Sequence, residues 1–370
     1  MGLGRLRDGL APTPPMGWNS WNRFQTRIDE RLIRETAEAL VETGMRDAGY
    51  RYVVIDDGWE AAERDASGDL LSDPDRFGSG IAALSGSVHE LDLRFGIYTD
   101  AGTRTCAGYV GSLGYEFRDA RRFASWGVDY VKIDWCNTSG LGTRSVFWKW
   151  SQAFRAAGRP MILSLCEWGR TRPWQWGGRA GHLWRTCWDI QDTWESLVTV
   201  LDKQRGLHPW AGPDHWNDPD MLEVGNGGMT LDEYRAHFSL WCVLAAPLMA
   251  GNDLRAMPDE VRQILTAPEV IAVDQDPLGR QGDLIRANGG VEVWARELAD
   301  GSQAVVLFDR SAEPREIAVR WADLGWDPKE RVRVRDLWER ADRGATVEGY
   351  AATVPSHGAA MLRLTRENPM

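Results

Sequence analysis

The chain has 370 residues, 43% hydrophobic and 26% charged, with a formal net charge of −11. This is an ordinary globular composition, long enough for a barrel plus an accessory unit. The acidic balance argues against nucleic acid and anionic membranes as partners, and no run of about 18 apolar residues is present to span a bilayer.

Five cysteines (Cys106, Cys136, Cys166, Cys187 and Cys242) form no CxxC pair, and the six histidines show no HxH or HExxH spacing. Zinc clusters and the common catalytic zinc sites are therefore not expected. No glycine-rich nucleotide or phosphate turn occurs either, so no cofactor is expected. The N-terminal Met-Gly-Leu-Gly-Arg-Leu-Arg lacks the apolar core of a signal peptide. The expected location is the cytoplasm, or outside the cell if a leader has been removed.

In chain order, residues 11–22 are proline-rich and read as an extended entry followed by a first short strand. A helix is expected over 29–48, from the stripe Leu32, Ile33, Thr36, Leu40 and Val41. The β-branched run Tyr50–Trp59 ends in two aspartates and precedes a polar loop over 60–80. Strands are expected at Arg94–Gly102, Tyr130–Asn137, Pro160–Trp168, Leu183–Ile190, irregularly within 209–222, and at Pro247–Asn252. Helices alternate with them at Glu116–Trp126, 143–157, from Thr193, at Leu231–Leu244 and at 258–272. Such alternation means a parallel sheet, and its length fits a (β/α)8 TIM barrel better than an open doubly wound sheet. The texture changes near Asp276–Gly282, where short alternating runs begin. The expected division is a catalytic barrel over 1–279 and an antiparallel β domain, a sandwich, over 280–370.

The strand Tyr130–Asn137 carries the strongest chemical signal. Val131, Ile133 and Trp135 share one face; Lys132, Asp134 and Cys136 share the other. A buried Lys and Asp on one face are either a structural ion pair or a carboxylate kept ionised at the catalytic end of a barrel strand. Similar acids end other strands: Asp56-Asp57, Glu167 and Asp189, with Asp218 and Asp220 in a later loop. Arg185, Cys187 and Asp189 fall on one face of their predicted strand. Asp192, the rival to Asp189, reads as the N-cap of the next helix. Twenty tryptophans are present; Trp18, Trp21, Trp59, Trp135, Trp168, Trp188 and Trp216 sit beside polar strand ends, as core residues or as walls of a sugar pocket. Converging carboxylates suit glycoside cleavage by a carboxyl pair or a divalent-cation site, and the two-carboxylate logic favours the former.

Eight motifs then carry a resemblance. They are Pro15-Met-Gly-Trp-Asn-Ser-Trp, Ile55-Asp-Asp-Gly-Trp, Gly96-Ile-Tyr-Thr-Asp-Ala-Gly, Thr105-Cys-Ala-Gly, Val131-Lys-Ile-Asp-Trp-Cys, Cys166-Glu-Trp-Gly, Trp184-Arg-Thr-Cys-Trp-Asp-Ile and Trp216-Asn-Asp-Pro-Asp-Met-Leu. In this order, over residues 12–282, they resemble glycoside hydrolase family 27, the α-galactosidase and α-N-acetylgalactosaminidase family. The resemblance implies a metal-independent, retaining exo-α-galactosidase with Asp134 as nucleophile and Asp189 as acid/base. It implies that Asp56 and Asp57 hold the 4- and 6-hydroxyls and that Lys132 reaches the 3- and 4-hydroxyls. Trp21 and Tyr98 match pocket walls, Glu167 and Arg185 match the 2-position site, and Asp220 and Met221 match further pocket residues. Retention implies carboxyls about 5–5.5 Å apart.

Glu167 would leave no room for an acetamido group, which favours galactose over N-acetylgalactosamine. The Asp56-Asp57 pair favours galactose over the β-L-arabinopyranoside that some members take. Cys106 and Cys136 match a family disulfide, so at most this one disulfide is expected, with its redox state left open by the lack of a visible signal peptide. Gly58 and Gly181 stand where many relatives have further cysteines, so Cys166, Cys187 and Cys242 are expected as buried thiols. The sequon Asn137-Thr-Ser is read as chance. The partner is a small carbohydrate. A sugar-binding module with a dead site and a metal-dependent barrel enzyme are the competing classes, and the aglycone and oligomeric state stay open.

Overall fold

A computed structural model describes residues 6–367 of the chain. Eight short strands form one parallel sheet: β1 (Met16–Asn19), β2 (Tyr52–Ile55), β3 (Arg94–Asp100), β4 (Tyr130–Asp134), β5 (Ile162–Leu165), β6 (Leu183–Arg185), β7 (Trp216–Asp218) and β8 (Leu248–Ala250). Their order is sequential, with β8 returning beside β1. The ring closes just beyond β7, where Leu222 bridges Ala250 in parallel and its N–H donates to Met249 O at 2.8 Å. Closure, not an open doubly wound sheet, is therefore the outcome, as the alternating pattern implied.

The period of two sorts the strand residues into two environments. Val53, Ile55, Val131, Ile133, Leu163 and Leu165 pack outward in the main core that includes the helices. Tyr52, Val54, Tyr130, Ile162, Leu183 and Trp216 pack together as a separate apolar cluster. In β2 and β4 the same inward register continues to Asp56 and to Lys132 and Asp134. The barrel interior thus changes from apolar to charged toward the strand C-termini. Gly17 is required in this interior, because a Cβ there would lie 2.4 Å from Tyr52 O.

Several element boundaries differ from expectation. The predicted helix over 29–48 breaks at Gly44, in the left-handed region at φ 79°, into Glu30–Glu42 and Met45–Ala48. The predicted helix over 258–272 becomes Asp259–Leu265 and Pro268–Asp274, because Pro268 can open a helix but not sit inside one. A helix at Ile81–Glu90 follows the polar loop; its buried stripe of Ile81, Leu84 and Val88 includes the polar Ser85. The predicted strand Leu183–Ile190 stops at Arg185, so Asp189 lies beyond it in a turn.

The C-terminal part is antiparallel. β9 (Asp283–Asn288), β10 (Val291–Glu297), β11 (Gln303–Asp309), β13 (Val332–Asp336), β14 (Ala341–Thr346) and β16 (Ala359–Arg366) form a six-stranded sheet in the order 14-13-16-11-10-9. β12 (Arg315–Arg320) pairs with β15 (Gly349–Val354) as a second sheet, and Val305, Leu307, Ile317, Val319 and Leu362 fill the space between. β9 and β14 were not foreseen. Both are sheet edges, largely exposed, so neither shows alternation. The opposite face of the large sheet packs on the barrel helix Leu231–Val243 through Trp294, Phe308 and Met361. Buried Arg296 braces this junction by donating to Cys242 O and Asp274 O. No helix among the described residues is long and apolar enough to cross a membrane.

Candidate active site

Asp134 is the last residue of β4, and its carboxylate is almost wholly buried. Its Oδ1 accepts the Trp135 N–H at 2.9 Å. Lys132 points into the same chamber but does not pair with Asp134, as the strand pattern suggested. Its Nζ donates to Asp56 Oδ2 at 2.8 Å, across from β4 to the end of β2. The expected Lys132–Asp134 pair is thus replaced by a Lys132–Asp56 pair between two strands, with Lys132 still acting on the Asp134 charge from nearby. Burial opposes the Lys132 charge, but Asp56 and Asp134 outweigh it and raise its pKa. Burial also raises the pKa of Asp134, while Lys132 pulls it down and Asp189 adds to the rise.

Asp56 is fully engaged. Asn19 Nδ2 donates to its Oδ2 and the Asp57 N–H to its Oδ1, at 2.8 and 2.9 Å. Asp57 is different. Its Oδ2 accepts the Ala107 N–H at 2.8 Å, but its Oδ1 is buried without a hydrogen-bond partner among the described residues. Burial pushes its pKa up to about 6. Tyr98, on β3, is buried beside them with its ring 5.3 Å from Lys132 Nζ.

On the opposite wall, Arg185 ends β6. Its Nη2 lies 3.0 Å from Asp189 Oδ1 and 3.0 Å from Asp220 Oδ2. Asp220 sits at a positive φ of 96° and also accepts the Ile190 N–H, which fixes the turn that carries Asp189. Burial raises the Asp220 pKa to about 6, against the pull of Arg185. For Asp189 burial works upward too, but Arg185 and Lys132 win and its pKa is lowered. Its side chain is 57% exposed, the most accessible of the acids here. Trp21 and Met221 pack against the same apolar cluster below the chamber.

Glu167 does not join the others. Its carboxylate is buried in its own loop, accepts the Thr171 N–H at 2.9 Å, and has Arg170 as its charged neighbour. Burial raises its pKa to about 7. The preceding residue, Cys166, faces the chamber instead, and Arg185 Nη1 reaches its sulfur at 3.9 Å. Asp192 is not the N-cap expected of it. Thr193 caps the helix Trp194–Asp202 by accepting the Ser196 N–H, one residue closer to the first turn. The Asp192 carboxylate accepts the Tyr234 hydroxyl and the Gly228 N–H.

Two functional candidates were missed. Asp100 is paired in register with Asp134, one strand away. Its Oδ1 accepts the Gly102 N–H at 2.6 Å and its Oδ2 the Cys136 N–H at 2.9 Å, and burial followed by Asp134 lifts its pKa to about 8. Its position at a strand end was the available signal. Glu223 shares a cleft of about 420 Å³ with Trp21, Asn22, Asp189 and Asn226. Asn22 and Asn226 donate to its two oxygens, and burial raises its pKa to about 8. It lies in a loop, where no periodic pattern marks it.

Cys106 and Cys136 are joined as a disulfide with Cα atoms 5.1 Å apart. It ties the loop whose Ala107 N–H holds Asp57 to the loop that follows Asp134. Cys166, Cys187 and Cys242 are buried free thiols, as expected. Most tryptophans prove structural: Trp18, Trp59 and Trp216 are wholly buried and donate to the carbonyls of Asn252, Tyr98 and Ala11. Trp135 packs on Phe147, with ring centroids 5.3 Å apart.

Comparison with known proteins agrees with this geometry. Residues 13–276 match the family model described as alpha galactosidase A, and residues 288–364 match the alpha galactosidase C-terminal beta sandwich domain. The chain belongs to glycoside hydrolase family 27, the α-galactosidase family. It is 47% identical to a probable alpha-galactosidase of Dictyostelium discoideum, over 98% of this chain and 95% of that one. It is 46% identical to alpha-galactosidase 2 of Arabidopsis thaliana, over 98% and 91% of the two chains. The crystal structure of alpha-galactosidase I from Mortierella vinacea superposes with a TM-score of 0.94 at 36% identity, covering 97% of this chain and 98% of that one. Members with other sugars in their names are also similar. An alpha-N-acetylgalactosaminidase of Gallus gallus is 39% identical over 90% of this chain and 88% of its own. A β-L-arabinopyranosidase of Geobacillus stearothermophilus has a TM-score of 0.90 at 26% identity, covering 98% of each chain. This family 27 chain is thus a glycoside hydrolase with a barrel and a β-sandwich.

Proposed function

We propose that this glycoside hydrolase is a retaining exo-α-galactosidase. The observation that carries the reading is the buried Lys132–Asp56 bridge beside Asp57, whose Oδ1 has no hydrogen-bond partner among the described residues. A cation, a saturated carboxylate and a carboxylate with a free acceptor form a wall that suits adjacent hydroxyls of a terminal sugar. A hydroxyl donating to Asp57 Oδ1 would give that buried oxygen the hydrogen bond it lacks. Asp134 is the nucleophile and Asp189 the acid/base.

Asp134 attacks the anomeric carbon while Asp189 gives its proton to the leaving oxygen, and a glycosyl ester forms on Asp134. Asp189, now ionised, takes a proton from water, which attacks the same carbon and releases Asp134. Two inversions retain the anomeric configuration. Asp189 is the more accessible of the two acids, as a group serving leaving group and then water should be. Asp134, buried and facing the Lys132–Asp56 pair, stays on the glycone side.

The test is initial rates on para-nitrophenyl α-galactoside, α-N-acetylgalactosaminide and β-L-arabinopyranoside, with and without EDTA. Preference for the α-galactoside, unaffected by EDTA, supports the reading. Proton NMR of the first-released sugar should show α-galactose before mutarotation; β-galactose would mean inversion. A preference for the arabinopyranoside would replace the substrate and keep the mechanism.

A further inference from the structure

One exposed aromatic group beside the acid/base has no role in the chemistry above. Trp188 immediately precedes Asp189 and is 59% exposed, among the largest exposures of any apolar side chain described. Leaving an indole in water is unfavourable, so its setting matters. It stacks on Trp168, with ring centroids 5.6 Å apart and planes 14° from parallel. The Arg170 guanidinium lies 4.7 and 4.8 Å from the two ring centroids. Trp188 is therefore backed by a second indole and a cation, and more than half of its surface stays open.

The backing is rigidly built. Trp168 is held in the left-handed region at φ 56°, unfavourable for a bulky residue. The next residue, Gly169, is pressed so close to the adjoining loop that a Cβ would lie 2.1 Å from Thr186 O. Glu167 closes this turn by accepting the Thr171 N–H. The β5 loop is thereby fixed against the chain leading to Asp189. Trp168 also lies near enough to Asp189 to help hold its pKa down, after Arg185 and Lys132. Trp188 adjoins Asp189 in the chain and both are exposed, so the open indole lies beside the carboxyl that serves the leaving group.

We propose that Trp188, backed by Trp168 and Arg170, is a stacking platform for the leaving group, and that this group is a saccharide ring. A flat indole edged by a guanidinium fits such a ring: the C–H face lies on the indole and the guanidinium donates to rim hydroxyls. The inference rests on the α-galactosidase reading and adds its leaving-group class.

The experiment compares Trp188→Ala, Trp188→Phe and the wild type on two substrates. Galactosyl-α-1,6-glucose has a sugar leaving group; α-galactosyl fluoride has one too small to reach the platform. The readout is the ratio of kcat/KM for the disaccharide to kcat/KM for the fluoride, which cancels any loss of folded enzyme. Trp188→Ala should lower this ratio roughly tenfold, mainly through KM for the disaccharide, and Trp188→Phe should restore most of it. An unchanged ratio overturns the platform. An equal loss on both substrates also overturns it, and so does a fall in the ratio carried by kcat rather than KM, since Trp188 would then only position Asp189, whose loss spares a leaving group as good as fluoride. Wild-type enzyme inactive on α-galactosyl fluoride would instead defeat the α-galactosidase reading, and the platform with it.

Discussion

Arg185 holds Asp189 and Asp220 with one nitrogen, Nη2, at 3.0 Å from each. This has a price for catalysis, because an acid/base must carry a proton when substrate arrives. Arg185 instead favours the ionised form of Asp189 in the free enzyme. Asp134 and Asp189 also act on each other, since Asp189 contributes to the raised pKa of Asp134. Asp189 and Asp220 share the Arg185 cation and act on each other, so a limb of a pH–rate profile set by Asp189 also reflects Asp220.

Replacing Arg185 with alanine should move the alkaline limb of kcat/KM to higher pH. The sign follows from removing the cation that stabilises the charged Asp189. It should also lower kcat/KM about 100-fold or more, because buried Asp220 loses its partner and the Asp189 turn loses its anchor. A pH profile of the variant decides the matter. A limb that stays in place, or moves down, would show that Arg185 does not set the Asp189 charge.

The two carboxyls should fail differently when made amides. Asp134→Asn should reduce turnover by at least about 10,000-fold while leaving galactose binding within several-fold of wild type, because the sugar wall of Asp56, Asp57 and Lys132 is intact. Asp189→Asn should lose least on leaving groups of low pKa, such as 2,4-dinitrophenolate, in the first step. Azide should partly rescue this variant and yield α-galactosyl azide. Rescue that gives the β-azide would point to inversion.

Much of this site was legible because a barrel converts strand ends into neighbours. Asp56, Asp134 and Arg185 could be placed by counting along β-branched runs, and the same counting put Lys132 on their face. Counting could not say which acid Lys132 would pair with; that depends on the neighbouring strand, and Asp56 is the one it meets at 2.8 Å. Asp189 was found for a faulty reason, since its strand ends four residues earlier and Asp220 and Arg185 fix the turn. Glu223 was illegible for want of any repeat in its loop. Asp192 misled because Asp and Thr are both good caps in adjacent positions, and only geometry chose Thr193.

Glu167 allows a substrate prediction to be sharpened. Its carboxylate closes the turn that supports Trp168 by accepting the Thr171 N–H, and among the described residues it makes no hydrogen bond to Asp134, Asp189 or Arg185. Glu167→Ser should therefore weaken α-galactoside hydrolysis about tenfold by loosening that turn. It should not, alone, install N-acetylgalactosaminide activity at more than about 1% of the α-galactoside rate. Measured rates on both para-nitrophenyl substrates check this. Substantial N-acetylgalactosaminide cleavage would show that Glu167 bounds the 2-position after all.

The buried acids in and around the chamber carry a cost in stability that depends on pH. Asp57 and Asp220 have pKa values raised to about 6, Glu167 to about 7, and Asp100 and Glu223 to about 8, each chiefly by burial. A carboxyl whose pKa is raised by folding binds its proton more tightly in the folded state. Its contribution to stability is present in full below the unfolded value near 4 and is lost as the pH rises through the folded value. The window here is pH 4 to 8. The melting temperature should be lower at pH 8 than at pH 5.5 by at least about 3 °C. Asp100→Asn and Glu223→Gln, which cannot ionise, should each flatten that slope. Scanning calorimetry of the three proteins across the window tests it. A melting temperature that rises toward pH 8, or variants with the wild-type slope, would mean that these acids are relieved by contacts other than protons.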